Sequence, residues 1–584
     1  MDPGLDRGGA SLIKTLRGKT WWIQALLWLL PLIFLGVFYF FPMWEIITLS
    51  FSRSEAGLFS TFIETLSSTS IQKVLGFTLW QALLSTFITL LVGMPAAYLF
   101  ARFDFKGKTL LKTLSGIPFM LPTLVVAAAF NSLLGPRGWI NLGLMSLFDL
   151  TVPPIHLDNS LGAILIAHVF YNTTIVMRMV GDFWTRIDPR IEGAAQVLGA
   201  RKWQTWWKVT LPLLLPAVSA AALLAFIFNF TSFGVILILG GPGFATIEVE
   251  IFYQTISLFN LPVAATLSII QLLITLSLSI IYTKLTKRIS QPLSQSSQKT
   301  VQRPIRTKAH KIFAGLVITY LVVLFISPIV SLAVRSFTRL DPERRQRTEV
   351  DQGFTLDFYR ELSINENNSL FYSPPIKTIL NSLGNAGAAV VLSLLIGLPA
   401  SWALARYSNA FSSKLLDPIL MLPLGTSAVT LGLGFIVALN EPPLDLRTSP
   451  LLIPFAHALV AFPFVVRSLT PALRSIQPNL RQVAAMLGAS PRKVMRYIDL
   501  PLVGRALLVS AVFAFTISMG EFGATALISR PENPTIPIAI YKFLSQPGGI
   551  NYGQALALST ILMFVTTTGL LFIERFRIAE VNEF

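Results

Sequence analysis

The chain has 584 residues, of which 53% are hydrophobic and only 13% are charged, and its formal net charge is +17. Soluble domains carry about 25% charged residues, so this composition excludes a water-covered globular surface and indicates an integral membrane protein. The cations lie mostly in short segments between apolar runs. We therefore attribute them to membrane topology and anionic lipid, and we expect no nucleic-acid partner. The lack of cysteine excludes disulfides, thiolate metal sites and cysteine nucleophiles.

Apolar stretches long enough to cross a membrane, which takes about 20 residues, recur along the whole chain. We predict twelve, near 22–47, 76–101, 113–134, 160–181, 213–240, 262–283, 312–334, 377–404, 413–439, 450–470, 502–528 and 553–574. The predicted fold class is an all-α integral membrane protein. The first stretch is too long for a signal-peptide core and no small-residue cleavage site ends it, so we expect it to be retained.

The predicted spans fall into two halves. We expect a basic tail at 1–21, a first half at 22–288, a linker at 289–311, a second half at 312–576 and a short tail at 577–584. The region 284–311 is rich in Ser, Gln and cations and contains no acid, which is typical of a cytoplasmic linker. Six spans return the chain to its starting side, so both termini are expected in the cytoplasm.

The second half repeats the first in the same order. "GMPAAYLFAR" at 93–102 matches "GLPASWALAR" at 397–406. Four shorter matches follow, namely Met-Leu-Pro at 120 and 421, Ala-His at 167 and 456, Phe-Gly at 233 and 522, and Thr-Ile at 246 and 535. Because each half has an even number of spans, the repeat is predicted to be parallel, related by an axis along the membrane normal.

A polar loop lies between two spans at the same place in each half. In the first, Asp188 can cap a helix that starts at Pro189 and stops at Gly199. In the copy, Pro478 opens the helix and Gly488 closes it. A second short helix is expected to follow in each loop and to end at Leu211-Pro212 or Leu500-Pro501. One such loop could be an interfacial amphipathic helix, but two in register suggest docking sites for a two-fold partner.

These loops resemble the "EAA" loop of the integral membrane subunits of binding-protein-dependent ABC importers, which have the MetI-like fold. That signature is Glu-Ala-Ala, three residues, Gly, and a Leu-Pro end. Here "EGAAQVLG" has Gly193 at the usual glutamate position, with Glu192 adjacent, and "RQVAAMLG" lacks the acid and has Arg481 opposite Glu192. The resemblance covers nearly the whole chain as two fused permease halves.

The resemblance implies that both loops are coupling helices that dock on ATPase subunits. The residues concerned are Pro189, Glu192, Gly193, Ala194, Ala195, Gly199, Leu211 and Pro212, and then Pro478, Val483, Ala484, Gly488, Leu500 and Pro501. It also implies a prokaryotic inner-membrane location, two ATPase subunits and an extracytoplasmic substrate-binding protein. The asymmetry predicts that Glu192 contributes to ATPase association and that Arg481 contributes little.

No enzyme site is visible in the sequence. The nearest string to a phosphate-binding loop is "FKGKT", but Arg102 stands where such a loop needs its first glycine. We therefore expect no cofactor on this chain, with ATP used by a partner subunit. The four histidines make no metal-spaced pair, and we expect His168 and His457 to be satisfied polar residues between helices.

Within the family, two segments look most like the fused permeases of thiamine importers. They are "GAILIAHVFYN" at 162–172 and "GGPGFATIEVEIFYQ" at 240–254. "SMGEFGATAL" at 518–527 fits both those permeases and the fused ferric-iron permeases. "MLPTLVVAAAF" replaces a motif usual in the third span of the iron group, so the predicted substrate is thiamine or a related small cation, with ferric iron as the alternative.

Polar residues inside spans are the expected place for a transport pathway. Glu521 is the one carboxylate expected deep in a span, and Ser232 and Asn229 lie in the matching first-half span. Further candidates are Asn172, Asn381 and Asn385. Glu521 could line a pathway for a cation, or could be protonated or hydrogen-bonded for packing. An ion-driven secondary transporter, the alternative from another class, would usually carry several such acids, and a channel or scaffold would leave the paired loops unexplained.

Overall fold

The computed structural model describes residues 26–51, 60–241, 243–289, 302–339, 353–364, 374–407, 411–442 and 444–581. Within them the first half contains α1 Leu26–Phe51, α2 Ser60–Ser67, α3 Thr69–Arg102, β1 Phe103–Asp104, α4 Lys108–Leu114, α5 Ile117–Met120, α6 Thr123–Leu134, α7 Trp139–Phe148, α8 Leu161–Trp184, α9 Pro189–Val197, α10 Lys202–Phe230, α11 Gly234–Leu239, α12 Ile247–Ile256 and α13 Leu261–Ile289.

The second half begins after β2 Arg303–Pro304, which pairs in parallel with β1. It contains α14 Lys308–Arg335, α15 Asp357–Glu361, α16 Lys377–Arg406, α17 Phe411–Leu420, a 3-10 turn Leu422–Gly425, α18 Ala428–Ala438, α19 Leu452–Ser475, α20 Pro478–Met486, α21 Pro491–Val494, α22 Met495–Gly520, α23 Gly523–Ile528, α24 Ile536–Leu544 and α25 Gly549–Val581. The predicted tail 1–21 and most of the linker lie outside the described residues.

The all-α membrane fold is confirmed. The described residues contain ten helices long and apolar enough to cross a membrane, or twelve if each of two bent pairs counts as one span. The third and ninth predicted spans are these pairs, bent by 108° after α5 and by 96° after the 3-10 turn. Pro122 lies at the first bend, and Pro423 lies in the 3-10 turn that precedes the second. Leu121 is extended (φ −71°, ψ 136°), as a residue before proline tends to be, and this ends α5.

The predicted spans 213–240 and 502–528 are also wrong as single helices. α10 ends at Phe230 and the chain restarts at Gly234 as α11, while α22 ends at Gly520 and restarts at Gly523 as α23. A count of apolar residues could not detect these breaks, because the runs stay hydrophobic through them. The broken backbone is instead satisfied by neighbouring side chains, as membrane-depth irregularities must be.

The prediction that helices end at Leu211-Pro212 and Leu500-Pro501 is also wrong, because both helices continue through the proline. A π turn precedes each, Trp206–Thr210 and Met495–Asp499, and a third π turn, Gly36–Phe40, precedes Pro42. In each, the residue before the proline donates its N–H five residues back. Proline lacks the N–H that would donate to the carbonyl four residues back, and the widened turn before it makes room for its ring. The helix can therefore continue through the proline.

The first helix of each half packs on the other half. α1 contacts α18, and the Tyr39 hydroxyl lies 2.8 Å from the Thr426 hydroxyl while the rings of Phe38 and Phe455 stack at 4.5 Å. α14 contacts α6, where the hydroxyls of Ser132 and Ser331 lie 2.9 Å apart. The two sequence repeats are therefore interlocked, although each keeps its own bundle of three helices, α3 with α8 and α10, and α16 with α19 and α22.

The breaks lie where the two halves meet. α11 packs on α6 and α23 packs on α18, so each segment after a break lies against the segment after a bend. Small residues allow the approach: a Cβ on Gly432 would lie 2.9 Å from the Ala524 carbonyl oxygen, and one on Gly520 would lie 3.0 Å from Pro122. The fold thus places two equivalent breaks beside one central interface.

Candidate functional site

The first predicted docking loop is a helix, a glycine turn and a second helix. Asp188 accepts the backbone N–H of Arg190 at 2.9 Å and caps α9, which ends at Val197. Gly199 then turns the chain at φ +92°, and the N–H of Ala200 reaches back to Ala195. A Cβ on Gly199 would meet nothing within 4 Å, so the left-handed backbone and not space requires glycine here.

The second loop has the same backbone. α20 ends at Met486, Gly488 has φ +80°, and the N–H of Ala489 reaches back to Ala484. The tip of each loop is apolar and open: Leu198 is 89% exposed and Leu487 is 82% exposed, and the preceding Val197 and Met486 are exposed as well. Exposed apolar side chains of this size at a loop tip are typical of a protein contact surface.

Most of the other predicted docking residues lie on or beside these helices. Gly193, Ala194 and Val483 are exposed, whereas Ala195 and Leu211 are half-buried. Pro212, Leu500 and Pro501 lie exposed at the start of the next helix. Glu192 differs, because its carboxylate accepts from Arg102 at 2.6 Å and from Thr210 at 3.1 Å inside the chain. Arg481, opposite it in the repeat, donates to Asp499 at 2.7 Å.

The carboxylate of Glu521 lies at the second break and not within a helix. It is buried, and it accepts the backbone N–H groups of Ala524 at 2.8 Å and Thr525 at 3.1 Å, together with the Thr525 hydroxyl. His457 Nε2 lies 3.3 Å from it, and His457 Nδ1 lies 2.7 Å from the Ser518 hydroxyl. Glu521 therefore caps the restart of the chain as α23.

The first break is held by neutral groups. The Ser232 hydroxyl, at the position of Glu521, lies 2.9 Å from His168 Nε2, and His168 Nδ1 lies 2.9 Å from the Ser85 hydroxyl. Asn229 is fully buried, accepts from Asn172 at 2.7 Å and donates to Thr86. Both central histidines are thus buried and hydrogen-bonded between helices. Asn381 donates to the Pro534 carbonyl at 3.2 Å, and Asn385 is half-buried.

Aromatic rings join the two breaks, which the sequence reasoning missed. Phe233 and Phe522 stack with centroids 5.3 Å apart and planes 17° from parallel. Phe252 packs on Phe233, and Tyr541 packs on both Phe522 and Phe252. The repeated Phe-Gly pair in the sequence indicates that Phe233 and Phe522 are equivalent positions. It cannot indicate that the two rings are in contact. These rings close the interface between the halves.

Glu521 is not alone, because Asp499 at the start of α22 and Glu248 are also buried carboxylates. Glu248, in α12, is 1% exposed and accepts from Gln271 of α13 and from Ser427, which caps α18 in the other half. Its burial depends on packing with the second half, which the sequence alone does not show. Its bond to Ser427 joins the first half directly to the second.

The chain matches the family described as "binding-protein-dependent transport system inner membrane component" twice, over residues 89–291 and 397–576. These matches cover more than half of the chain. The chain belongs to this family. It is thus a fused, two-half ABC importer permease, a multi-pass protein of the bacterial inner membrane, with the docking loops of both halves inside the matched residues.

Named relatives of this permease include the thiamine transport system permease protein ThiP of Escherichia coli, 26% identical over 84% of this chain and 88% of that protein. ThiP of Salmonella typhimurium is 25% identical over 82% of this chain and 85% of that protein. The probable ABC transporter permease protein y4fN of Sinorhizobium fredii is 25% identical over 91% of this chain and 92% of that protein. All three align across both halves.

Proposed function

We propose that this permease forms the translocation pathway of an importer whose two ATPase subunits dock separately on the loops at α9 and α20. The single observation that carries this proposal is the pair of equivalent loops, each with a left-handed glycine and an exposed apolar tip. If each bent pair is one span, each half has an even number of crossings. Both loops then lie on the same side of the membrane. We assign this side to the cytoplasm, because the segments on it carry an excess of Lys and Arg.

The gate of the pathway is proposed at the central breaks. Phe233 and Phe522 meet there, and each precedes a short helix that packs on the bent segment of its own half. ATP-driven approach of the two docking loops would tilt α10 and α22, which lead directly from the loops to the breaks. The rings would then separate, opening the way to cargo delivered by an extracytoplasmic binding protein.

Thiamine is the proposed substrate. The named ThiP relatives support it, and the gate residues suit an aromatic cation, because Phe and Tyr rings stack on aromatic rings and attract a positive charge to their faces. The carboxylate of Glu521 lies directly beside Phe522 in the chain, with Ser232 and Asn229 at and near the matching break. Ferric iron is the alternative cargo, and ATP would be used by the partner subunits alone.

The docking proposal is tested by placing a charge on each tip. We expect Leu198→Asp and Leu487→Asp to abolish co-purification of the ATPase while membrane insertion persists, because a carboxylate cannot be buried unpaired in an apolar contact. Leu258→Asp, at an exposed leucine in the loop before α13, is the matched control and should leave association unchanged.

Transport is measured in proteoliposomes that contain the permease, the ATPase and the binding protein encoded with them, with radiolabelled thiamine as the probe. ATP-dependent thiamine uptake that both tip variants lose is the expected result. Uptake driven by an ion gradient in the absence of the ATPase would overturn the proposal in favour of a secondary transporter. ATP-dependent uptake of ferric iron and not of thiamine would replace the substrate alone.

A further inference from the structure

One ion pair binds the first docking loop to its own transmembrane bundle. Arg102, the last residue of α3, donates from Nη2 to Glu192 Oε1 at 2.6 Å, and the Thr210 hydroxyl donates to the same oxygen at 3.1 Å. The Arg102 side chain is 5% exposed and that of Glu192 is 20% exposed. This carboxylate therefore joins three elements: the end of α3, the docking helix α9, and the π turn of α10.

The second loop has an ion pair at the equivalent place with the charges exchanged. Arg481 occupies the position of Glu192, and Asp499 occupies the position of Thr210, at the end of the π turn Met495–Asp499. Arg481 Nε donates to Asp499 Oδ1 at 2.7 Å, and the two side chains are 26% and 1% exposed. Arg406, the counterpart of Arg102, is exposed. The buried charge is thus a cation in the first half and an anion in the second.

We propose that each docking loop is fastened to its own transmembrane helix by this internal ion pair, whose polarity is exchanged between the halves, and that the pair makes the loop and the helix move as one body. Glu192 and Arg481 are then equivalent positioning residues, and the acid of the first loop faces the permease and not the ATPase. The part of the proposal that concerns coupling to ATP rests on the proposed function, whereas the part that concerns the loop itself does not.

The chemistry of the two pairs supports a mechanical role. Most surface ion pairs contribute little, but here one member of each pair is almost completely buried. Loss of the partner would leave that charge uncompensated, which is strongly destabilising. Glu192 also accepts from Thr210, and Arg481 donates to Asp499, and both of these partners end a π turn, an irregular turn that is frequent at functional sites and at which a helix can deform. A contact at this turn restrains its deformation. When the loop is displaced, the transmembrane helix therefore tilts with it.

The exchange allows a transplant test. Glu192→Arg places a cation beside buried Arg102, and we expect amide hydrogen exchange of peptides from 189–198 to rise about tenfold or more. The double variant Glu192→Arg/Thr210→Asp reproduces the set of the second half and should return exchange to within about twofold of wild type. In the other loop, Arg481→Glu should raise amide hydrogen exchange in the same way. Arg481→Glu/Asp499→Thr should return it towards the wild-type value, because Arg406 is then available as the cation.

The measurement uses the full chain in lipid nanodiscs without any ATPase, so it holds whatever the transport function is. Asp182→Asn is the control, because Asp182 pairs with Lys112 at 3.0 Å on an exposed surface next to the same bundle. Its effect on loop exchange should stay below about twofold. Single variants with wild-type exchange, or double variants no better than the singles, would overturn the proposal.

Coupling is then measured in the assembled transporter as substrate molecules taken up per ATP hydrolysed. The single variants should lower this ratio, and the doubles should restore it together with exchange. If Glu192→Arg/Thr210→Asp restores loop exchange but not ATPase association, Glu192 contacts the ATPase directly and the positioning role is wrong. If exchange follows the predicted pattern but no ATPase associates with the wild-type chain, the fastening stands and the proposed function fails.

Discussion

The break before Gly234 and the break before Gly523 have the same position in the repeat but are stabilised by different chemistry. At the first, Ser232 and His168 form neutral hydrogen bonds, and neighbouring helix α3 supplies Ser85. At the second, Glu521 accepts the backbone N–H of Ala524, three residues further along. Ser518 of α22 contacts His457 Nδ1, as Ser85 contacts His168 Nδ1 at the first break. Ala389 stands at the position of Ser85 in the second half.

This difference shows that the backbone break is the repeated feature and that its polar partners are interchangeable. A chain that interrupts a helix in an apolar environment must satisfy the freed groups, but either a neighbouring helix or a local carboxylate can do so. In this permease the first break uses hydrogen bonds between neutral side chains, and the second combines the carboxylate of Glu521 with His457 of neighbouring helix α19. The second break consequently has a carboxylate at the position where the first has a hydroxyl.

The largest difference between the breaks should follow removal of their polar side chains. Glu521→Leu leaves two buried N–H groups and the Thr525 hydroxyl without their acceptor, and we expect a loss of about 3–5 kcal/mol in the free energy of unfolding. Ser232→Ala removes neutral hydrogen bonding and should cost about 1 kcal/mol. Thermal unfolding of the purified chain in detergent compares them, and equal losses would contradict the distinction.

Glu521→Gln sharpens the same comparison, because it keeps an acceptor oxygen and removes the charge. The chain should fold and assemble with basal ATPase activity, and the uptake rate of a cationic substrate should fall. Uptake at the wild-type rate would leave Glu521 as a capping residue outside the pathway. A matched polar change at the first break, Ser232→Thr, should alter neither quantity.

Equivalent substitutions in the two docking loops should have equal effects, unlike those at the two breaks, because the two loops have the same backbone conformation. Gly199→Val and Gly488→Val each force a β-branched residue into a left-handed conformation, at a cost of about 1–2 kcal/mol. Uptake per ATP should fall in both variants while insertion persists. Gly143→Ala, in α7 with open space at its Cβ and outside both loops, is the control. Normal coupling in either valine variant would show that its turn is not needed for docking.

The smallest effect is expected at the aromatic stack. Phe233→Ala and Phe522→Ala each remove one side of the same ring pair, worth about 0.5–1.5 kcal/mol beyond burial, so both should loosen the gate alike. Basal ATPase activity without substrate and leak of thiamine from loaded proteoliposomes should rise in each. Phe228→Ala, at an exposed phenylalanine on α10, should change neither. A leak in one variant only would place the gate within a single half.

The sequence by itself determined the features that depend on local composition. Apolar runs of sufficient length located the membrane helices, because transfer into lipid depends on a helix's own side chains. Asp188, Pro189 and Gly199 located the helix and turn of the first loop, because capping and a left-handed turn are properties of a few consecutive residues. The repeat then identified the second loop and the two equivalent Phe-Gly positions without any knowledge of contacts.

The tertiary structure alone decided which of these positions meet. Hydropathy could not show the bends at Pro122 and Pro423, since an apolar run continues through each. Nor could it show that α1 packs on the opposite half, or that Phe233 stacks on Phe522, because residues almost 300 positions apart are joined only by packing. The partner of Glu192 was hidden for the same reason. That partner, Arg102, lies 90 positions away on another helix, and a carboxylate's environment, unlike its presence, is set by what folds against it.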